Sequence, residues 1–378
     1  MEPFTIDVSQ DVLDDLRARL RNTRWPEREL VDDWSQGTPL AYVQEVCEYW
    51  ADGYDWRARE ALLNRFDQFT TSVDGLDEPG LHFVHVRSPH PDAMPLLITH
   101  GWPGSIVEFH KVIEPLTDPT AHGGSAADAF HVVAPSLPGF GFSGKPLDKG
   151  WGVQRIGDAF AQLMADLGYD RYVAQGGDWG SAVTTVIGGN DVDHCAAVHI
   201  TLAMGAVPNF DGAPTPEEQR ALDGLAYYQE WDSGYSKEQS TRPQSVGYGL
   251  VDSPSAQAAW ILEKFWAWMD CDGHPENVLT RDELLDNIML YWINGNGASS
   301  ARIYWESFGR GPQPKTVTIP SGFTAYPKEI FPPVRAWVEG SFTDIRHWQE
   351  QPKGGHFAAF EVPDLYVDDI RTCFRQFR

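Results

Sequence analysis

The chain has 378 residues, 42% hydrophobic and 12% aromatic, which predicts a globular protein with one large core and substantial additions to it. Its 29 Lys and Arg stand against 54 Asp and Glu, and the formal charge of -25 argues against nucleic acid or an anionic membrane as partner and fits an uncharged substrate. Cys47, Cys195, Cys271 and Cys373 lie far apart with no CxxC pair, so reduced thiols are expected, with neither a zinc site nor a disulfide framework.

The opening MEPFTIDVSQDVLDDLRARLRN lacks the basic start and apolar run of a signal peptide. No stretch has the apolar length of a membrane span. A cytoplasmic protein without a membrane anchor is the expectation. In 11–22, Leu13, Leu16 and Leu20 recur at helical spacing, and a second helical stretch is predicted over 40–65. From about residue 70 the rhythm changes to strands. Short β-rich segments at 69–73 and 81–87 precede two apolar runs at 95–100 and 131–135, which suit a sheet covered on both faces. An amphipathic helix follows, with Val153, Ile156, Phe160, Leu163 and Leu167 on one face, and then a strand at 171–175. This alternation predicts an α/β fold with a mostly parallel sheet and helices on both faces.

Between about 205 and 315 the strand rhythm stops. The segment carries Pro214, Pro216 and many aromatics, among them Tyr227, Tyr228, Trp231, Tyr235, Trp266, Trp268, Tyr304 and Trp305. It reads as a helical insertion able to wall an apolar pocket above the sheet. Two final strands are predicted at 316–320 and 342–348, and a closing helix over 365–377.

Gly176-Gly-Asp178-Trp-Gly180 falls where a strand meets a helix. This is the setting of a nucleophile elbow, a sharp turn that presents one side chain above the sheet. The nucleophile is usually Ser; here it is Asp178. A carboxylate is already ionised at neutral pH and can attack a saturated carbon bearing a leaving group, forming an ester. A strained ring or a carbon–halogen bond is therefore the expected target. Hydrolysis of the ester needs a base and an acid that orients it, in the chain order acid then His. His356 follows the last strand. Glu329 and Asp344 are the candidate acids, and the loop position of Glu329 favours it. Oxyanion donors are expected from the backbone N–H groups of Trp179 and of Trp102, in His100-Gly-Trp-Pro-Gly104. Gly139-Phe-Gly-Phe-Ser-Gly144 matches a dinucleotide fingerprint, but Lys145-Pro146 follows where a helix would have to open, so no nucleotide is expected.

The sequence resembles the microsomal-type epoxide hydrolases, a family that includes the juvenile-hormone epoxide hydrolases. The resemblance runs through Arg21-Asn-Thr-Arg-Trp-Pro26, His100-Gly-Trp-Pro-Gly-Ser105, Pro135-Ser-Leu-Pro-Gly-Phe-Gly-Phe-Ser143, Gln175-Gly-Gly-Asp-Trp-Gly-Ser181, Gly322-Phe-Thr-Ala-Tyr-Pro-Lys-Glu329 and Gly354-Gly-His-Phe-Ala-Ala-Phe-Glu361. It implies an α/β-hydrolase fold with an amino-terminal meander over 1–80, a core over 81–204 and 316–378, and a helical cap over 205–315. It implies Asp178, Glu329 and His356 as nucleophile, acid and base. It also supplies the acids that open the ring, two cap tyrosines matching Tyr235 and Tyr304. No counterpart of the membrane-bound members' anchor is expected here. The implied reaction is hydrolysis of an apolar or aromatic epoxide by water to a vicinal diol, with no metal or cofactor. Similar bacterial proteins act in natural-product pathways, enediyne biosynthesis included, and in catabolism. A haloalkane dehalogenase shares the Asp elbow, and a catalytically silent ligand-binding member of the fold is the alternative from another class. The oligomeric state is open, a homodimer included.

Overall fold

The computed structural model describes residues 1–203, 207, 212–308, 314–331 and 333–378. Nine strands form one sheet: β1 (Glu2–Phe4), β2 (Gln68–Thr71), β3 (Leu81–Val86), β4 (Met94–Thr99), β5 (Phe130–Pro135), β6 (Tyr172–Gly176), β7 (Cys195–Ile200), β8 (Ser321–Ala325) and β9 (Ile345–Glu350). Their order is β1-β2-β3-β5-β4-β6-β7-β8-β9. The pairs β1/β2, β2/β3 and β3/β5 are antiparallel, and every later pair is parallel. Leu96, Leu97, Ile98, Val132, Val133, Val173 and Ala174 are wholly buried, as central strands flanked by helices require. The helix Val153–Asp166 buries Ile156, Phe160 and Leu163, the spacing its sequence predicts.

Several expectations need correction. The stretch 40–65 is two helices, Leu40–Asp52 and Trp56–Leu63, separated at Gly53 and restarted by Asp55, whose side chain accepts from the Ala58 N–H. Strands β1 and β7 were not expected. The first is a three-residue edge strand with little burial, too short to carry a pattern. The second contains two alanines and the wholly buried His199, so its composition is a weak strand signal. The segment 316–320 is not a strand. Its β-branched residues make only one isolated bridge, Val317 with Phe342, and the sheet resumes at Ser321, after Pro320. The last strand likewise begins at Ile345 and not at Phe342. The closing helix is Pro363–Phe374, continued by a 3-10 turn through Phe377.

Between β7 and β8 the regular structure among the described residues is helical, with no strand. The helices are Pro216–Tyr227, Gly234–Thr241, Pro243–Asp252, Pro254–Trp268, Arg281–Trp292 and Gly297–Ser307. A π-helical turn, Tyr228–Asp232, joins the first two. The boundary expected at 204/205 lies outside the described residues. This insertion rests on the glycine-rich loop 139–144. Ser299 donates to the Gly139 carbonyl at 2.6 Å, and Asn294 and Asn296 donate to that of Gly141 at 2.7 and 2.8 Å. The loop is thus a docking ledge. From the other side the amino-terminal helices grip Arg281–Trp292: Tyr49 donates to Asp282, and Tyr54 and Arg59 to Asp286. All four cysteines are free and buried. Among the described residues no helix is long and apolar enough to cross a membrane.

Candidate active site

Asp178 sits on the bend between β6 and the helix Trp179–Asn190, with φ 50 and ψ -128, a conformation that a non-glycine residue adopts only under strain. Its neighbours permit the bend because they lack side chains. A Cβ on Gly180 would lie 2.0 Å from the Thr99 carbonyl oxygen, and one on Gly101 would lie 2.1 Å from Asp178 Oδ1. The strand end, the helix start and the loop after β4 therefore converge on one carboxylate. The Trp102 N–H donates to Asp178 Oδ1 at 2.7 Å. Trp179 is the first helical residue, so its N–H lies outside the helical ladder.

His356 Nε2 lies 3.4 Å from Asp178 Oδ2, and its Nδ1 lies 2.6 Å from Glu329 Oε1. The sequence left Asp344 as the alternative acid; it pairs instead with Arg346 at 2.7 Å, on the outer strand. Burial pulls the His356 pKa down, but the charges and hydrogen bonds of Glu329 and Asp178 outweigh it and hold it well above the ordinary value. The loop bearing His356 is clamped on both sides. The His356 N–H donates to the Trp268 carbonyl at 2.9 Å, and Glu361 accepts from the N–H groups of Phe357 and Asp270 at 2.9 and 2.8 Å.

Tyr235 and Tyr304 come from different inserted helices and meet over the site, with ring centroids 5.7 Å apart. The Trp102 ring stacks on Tyr235 at 4.8 Å, and the Trp179 ring meets Tyr304 edge-on at 4.8 Å. Both residues whose N–H groups flank Asp178 thus also seat a tyrosine. Burial raises both phenols well above their usual range, and the Asp178 charge adds to this. Both stay protonated at neutral pH and can donate.

The structure therefore brings together Asp178, His356, Glu329, Trp102, Trp179, Tyr235 and Tyr304. It adds residues that the sequence did not single out. The Tyr228 and Tyr235 hydroxyls are 3.1 Å apart. Buried Lys264 has its ammonium 4.7 Å from the Tyr235 ring centroid and 2.7 Å from Asp232 Oδ1, while Asp232 Oδ2 accepts from the Trp268 indole at 2.5 Å. Asp232 closes the π-helical turn, and no spacing rule marks such a turn in advance. Glu361 could have been found, since it ends the Gly354–Glu361 segment.

An Asp on a strand–helix elbow, served by a His–carboxylate pair from the following strand loops, defines a member of the α/β-hydrolase class. Residues 94–249 match the alpha/beta hydrolase fold family, and residues 1–109 match the family described as Epoxide hydrolase N terminus. A Stigmatella aurantiaca relative carrying an epoxide-hydrolase name is 52% identical across 100% of this chain and 85% of its own. Epoxide hydrolase 1 of Sus scrofa is 36% identical over 98% of this chain and 88% of its own. The crystal structure of juvenile hormone epoxide hydrolase from the silkworm Bombyx mori superposes with a TM-score of 0.91 at 30% identity, covering 100% of this chain and 94% of that one. The chain belongs to the epoxide hydrolase family and is an enzyme of that class.

Proposed function

We propose that this enzyme converts an apolar or aryl epoxide to a vicinal diol through an ester on Asp178, with residues 205–315 acting as the cap that supplies the ring-opening acids. The observation that carries this reading is the placing of one carboxylate against a His–Glu pair and beneath two protonated tyrosines.

Tyr235 and Tyr304 hold the epoxide oxygen by hydrogen bonds. Asp178 attacks one ring carbon from the opposite side, the carbon–oxygen bond breaks, and a tyrosine gives its proton to the emerging alkoxide. The hydroxyalkyl ester carries no charge, so one of the two carboxylates that favoured the imidazolium of His356 is neutralised. The pKa of His356 falls, its proton passes to solvent, to be regained once the Asp178 carboxylate is restored, and the neutral imidazole becomes the base that activates water. Water loses a proton to Nε2 and its oxygen bonds to the ester carbon. The oxyanion rests on the N–H groups of Trp102 and Trp179. Collapse releases the diol oxygen, which takes the proton from His356. The proton left on the Asp178 carboxyl restores the tyrosine. An uncharged substrate fits a chain of net charge -25.

Replacing His356 by Gln separates the halves of this cycle. Mixed with styrene oxide, the H356Q protein is expected to accumulate the ester, seen by mass spectrometry as the Asp178 peptide plus the mass of the epoxide. An unmodified peptide after prolonged exposure would overturn the covalent scheme.

A further inference from the structure

Besides Asp178, His356 and Glu329, a further carboxyl reaches the site. Glu108 lies on a short 3-10 turn, Ile106–Phe109, that follows the loop bearing Trp102. Its carboxyl occupies space that exists only because residue 104 is glycine: a Cβ there would fall 1.5 Å from Glu108 Oε1. The turn is held rigidly. Asn287 donates to the Pro103 carbonyl at 2.8 Å and accepts from Ser105 at 2.7 Å, and the Tyr291 hydroxyl donates to the Gly104 carbonyl at 2.7 Å.

Glu108, Asp178 and His356 line a common cavity of about 20 Å³, closed by strand ends and by the loop after His356. That volume suits one water molecule, which needs roughly 10–15 Å³ and two or more polar partners. Tyr235 and Tyr304 do not line it. The nucleophilic carboxylate thus has a tyrosine side, where the ring is opened, and a cavity side, where the ester carbon can be met by water. His356 alone gives such a water one anchor and leaves its lone pair free to turn.

We propose that Glu108 is a further catalytic residue, whose carboxyl oxygen accepts one hydrogen of the hydrolytic water while His356 Nε2 takes the other, aiming the water oxygen at the ester carbon. This rests on the assignment of Asp178 as nucleophile. The proton balance is unchanged, because Glu108 orients water and transfers no proton. Burial pushes the Glu108 carboxyl up to about 8, with His356 opposing and the charges of Asp178 and Glu361 reinforcing the rise. The phenols of Tyr291 and Tyr366 also face it. At neutral pH it is therefore an uncharged acid and puts no second anion beside Asp178 during the attack on the epoxide.

Single-turnover experiments on the whole enzyme with styrene oxide, resolved by rapid quench into ester formation and ester decay, test this. In Glu108→Leu, decay is expected to slow by about 100-fold while formation stays within about threefold. Glu108→Gln keeps a carbonyl acceptor. It should fall between Leu and the native protein and lose any pH dependence of decay near pH 8. Thermal melts identify a folding defect; should the Leu variant melt early, the Gln variant's pH profile decides alone. Equal slowing of both steps, or decay unaffected in a folded variant, would overturn the proposal. Failure of the native enzyme to form any ester would instead sink the nucleophile assignment.

Discussion

The strained bend at Asp178 shows how one residue's chemistry depends on what its neighbours lack. Gly101 and Gly180 let the strand, the helix and the loop close on the carboxylate, and the Trp102 N–H meets it at 2.7 Å. A phenol is already protonated at neutral pH, and burial and the Asp178 charge move both tyrosines further above their usual range. In the proposed mechanism each donates to the developing alkoxide, and positioned acids of this kind contribute about 10²–10⁴-fold. The Tyr235→Phe, Tyr304→Phe double variant is expected to slow ester formation by about 1,000-fold and ester decay by less than about tenfold. Stopped-flow tryptophan fluorescence can follow both phases, since Trp102 and Trp179 touch the two rings. A double variant that forms ester at the native rate would remove the tyrosines from the scheme.

At the scale of elements, the parts that converge on the candidate site were legible wherever a short segment carries both its turn and its polar groups. The elbow, the His100–Gly104 loop and the Gly354–Glu361 loop are of this kind, and the resemblance added the tyrosines. What escaped was the register of the last strands. Residues 316–319 are β-branched and read as strand, yet the chain pairs at Ser321–Ala325. There the missing side chain of Gly322, aligned with His199 on β7 and His347 on β9, leaves room for Cys373 Sγ, 2.4 Å from where a Cβ would be. The choice is made by a helix nearly fifty residues away, which no local pattern can report. That helix also carries Asp369, 3.1 Å from His199 Nε2 and 2.7 Å from His347 Nε2. Burial would raise its carboxyl, but the hydrogen bonds from both histidines and Thr324 outweigh this and hold it below the ordinary carboxylate range. Its contribution is full above the unfolded pKa near 3.8 and is lost as pH falls through the folded value. Asp369→Ala is expected to destabilise the fold by about 3 kcal/mol in urea titrations near pH 7, since it leaves buried His199 and partly buried His347 without their shared carboxylate. A change below about 0.5 kcal/mol would contradict that role.

Across the whole molecule the site lies between parts that are remote in sequence. Amino-terminal helices grip the inserted helix Arg281–Trp292, and that helix fixes the loop bearing Trp102 and Glu108. The arrangement buries acids that are hard to ionise. Glu108 is raised to about 8 and Glu361 to about 7, both mainly by burial. For these raised groups the linked stability is full below the unfolded pKa of 4.5 and is lost as pH climbs through the folded values. His82, His85, His100, His110 and His131, all lowered by burial, act with the opposite sign up to about pH 6.5, so the test is a difference: between about pH 5.5 and about pH 8.5 at fixed ionic strength, the melting temperature of Glu361→Gln should rise relative to that of the native protein. A difference between the two that does not change with pH would contradict this.

In the proposed mechanism the substrate's carbon becomes bonded to Asp178 and is released by attack of water on the protein's own carboxyl. One turnover in heavy-oxygen water, with enzyme in excess over epoxide and peptides read by mass spectrometry, tests it directly. The label is expected in the peptide containing Asp178, and the diol should carry none from that first cycle. Label in the diol with an unlabelled Asp178 peptide would mean that water attacks the ring itself, and the covalent account would fail.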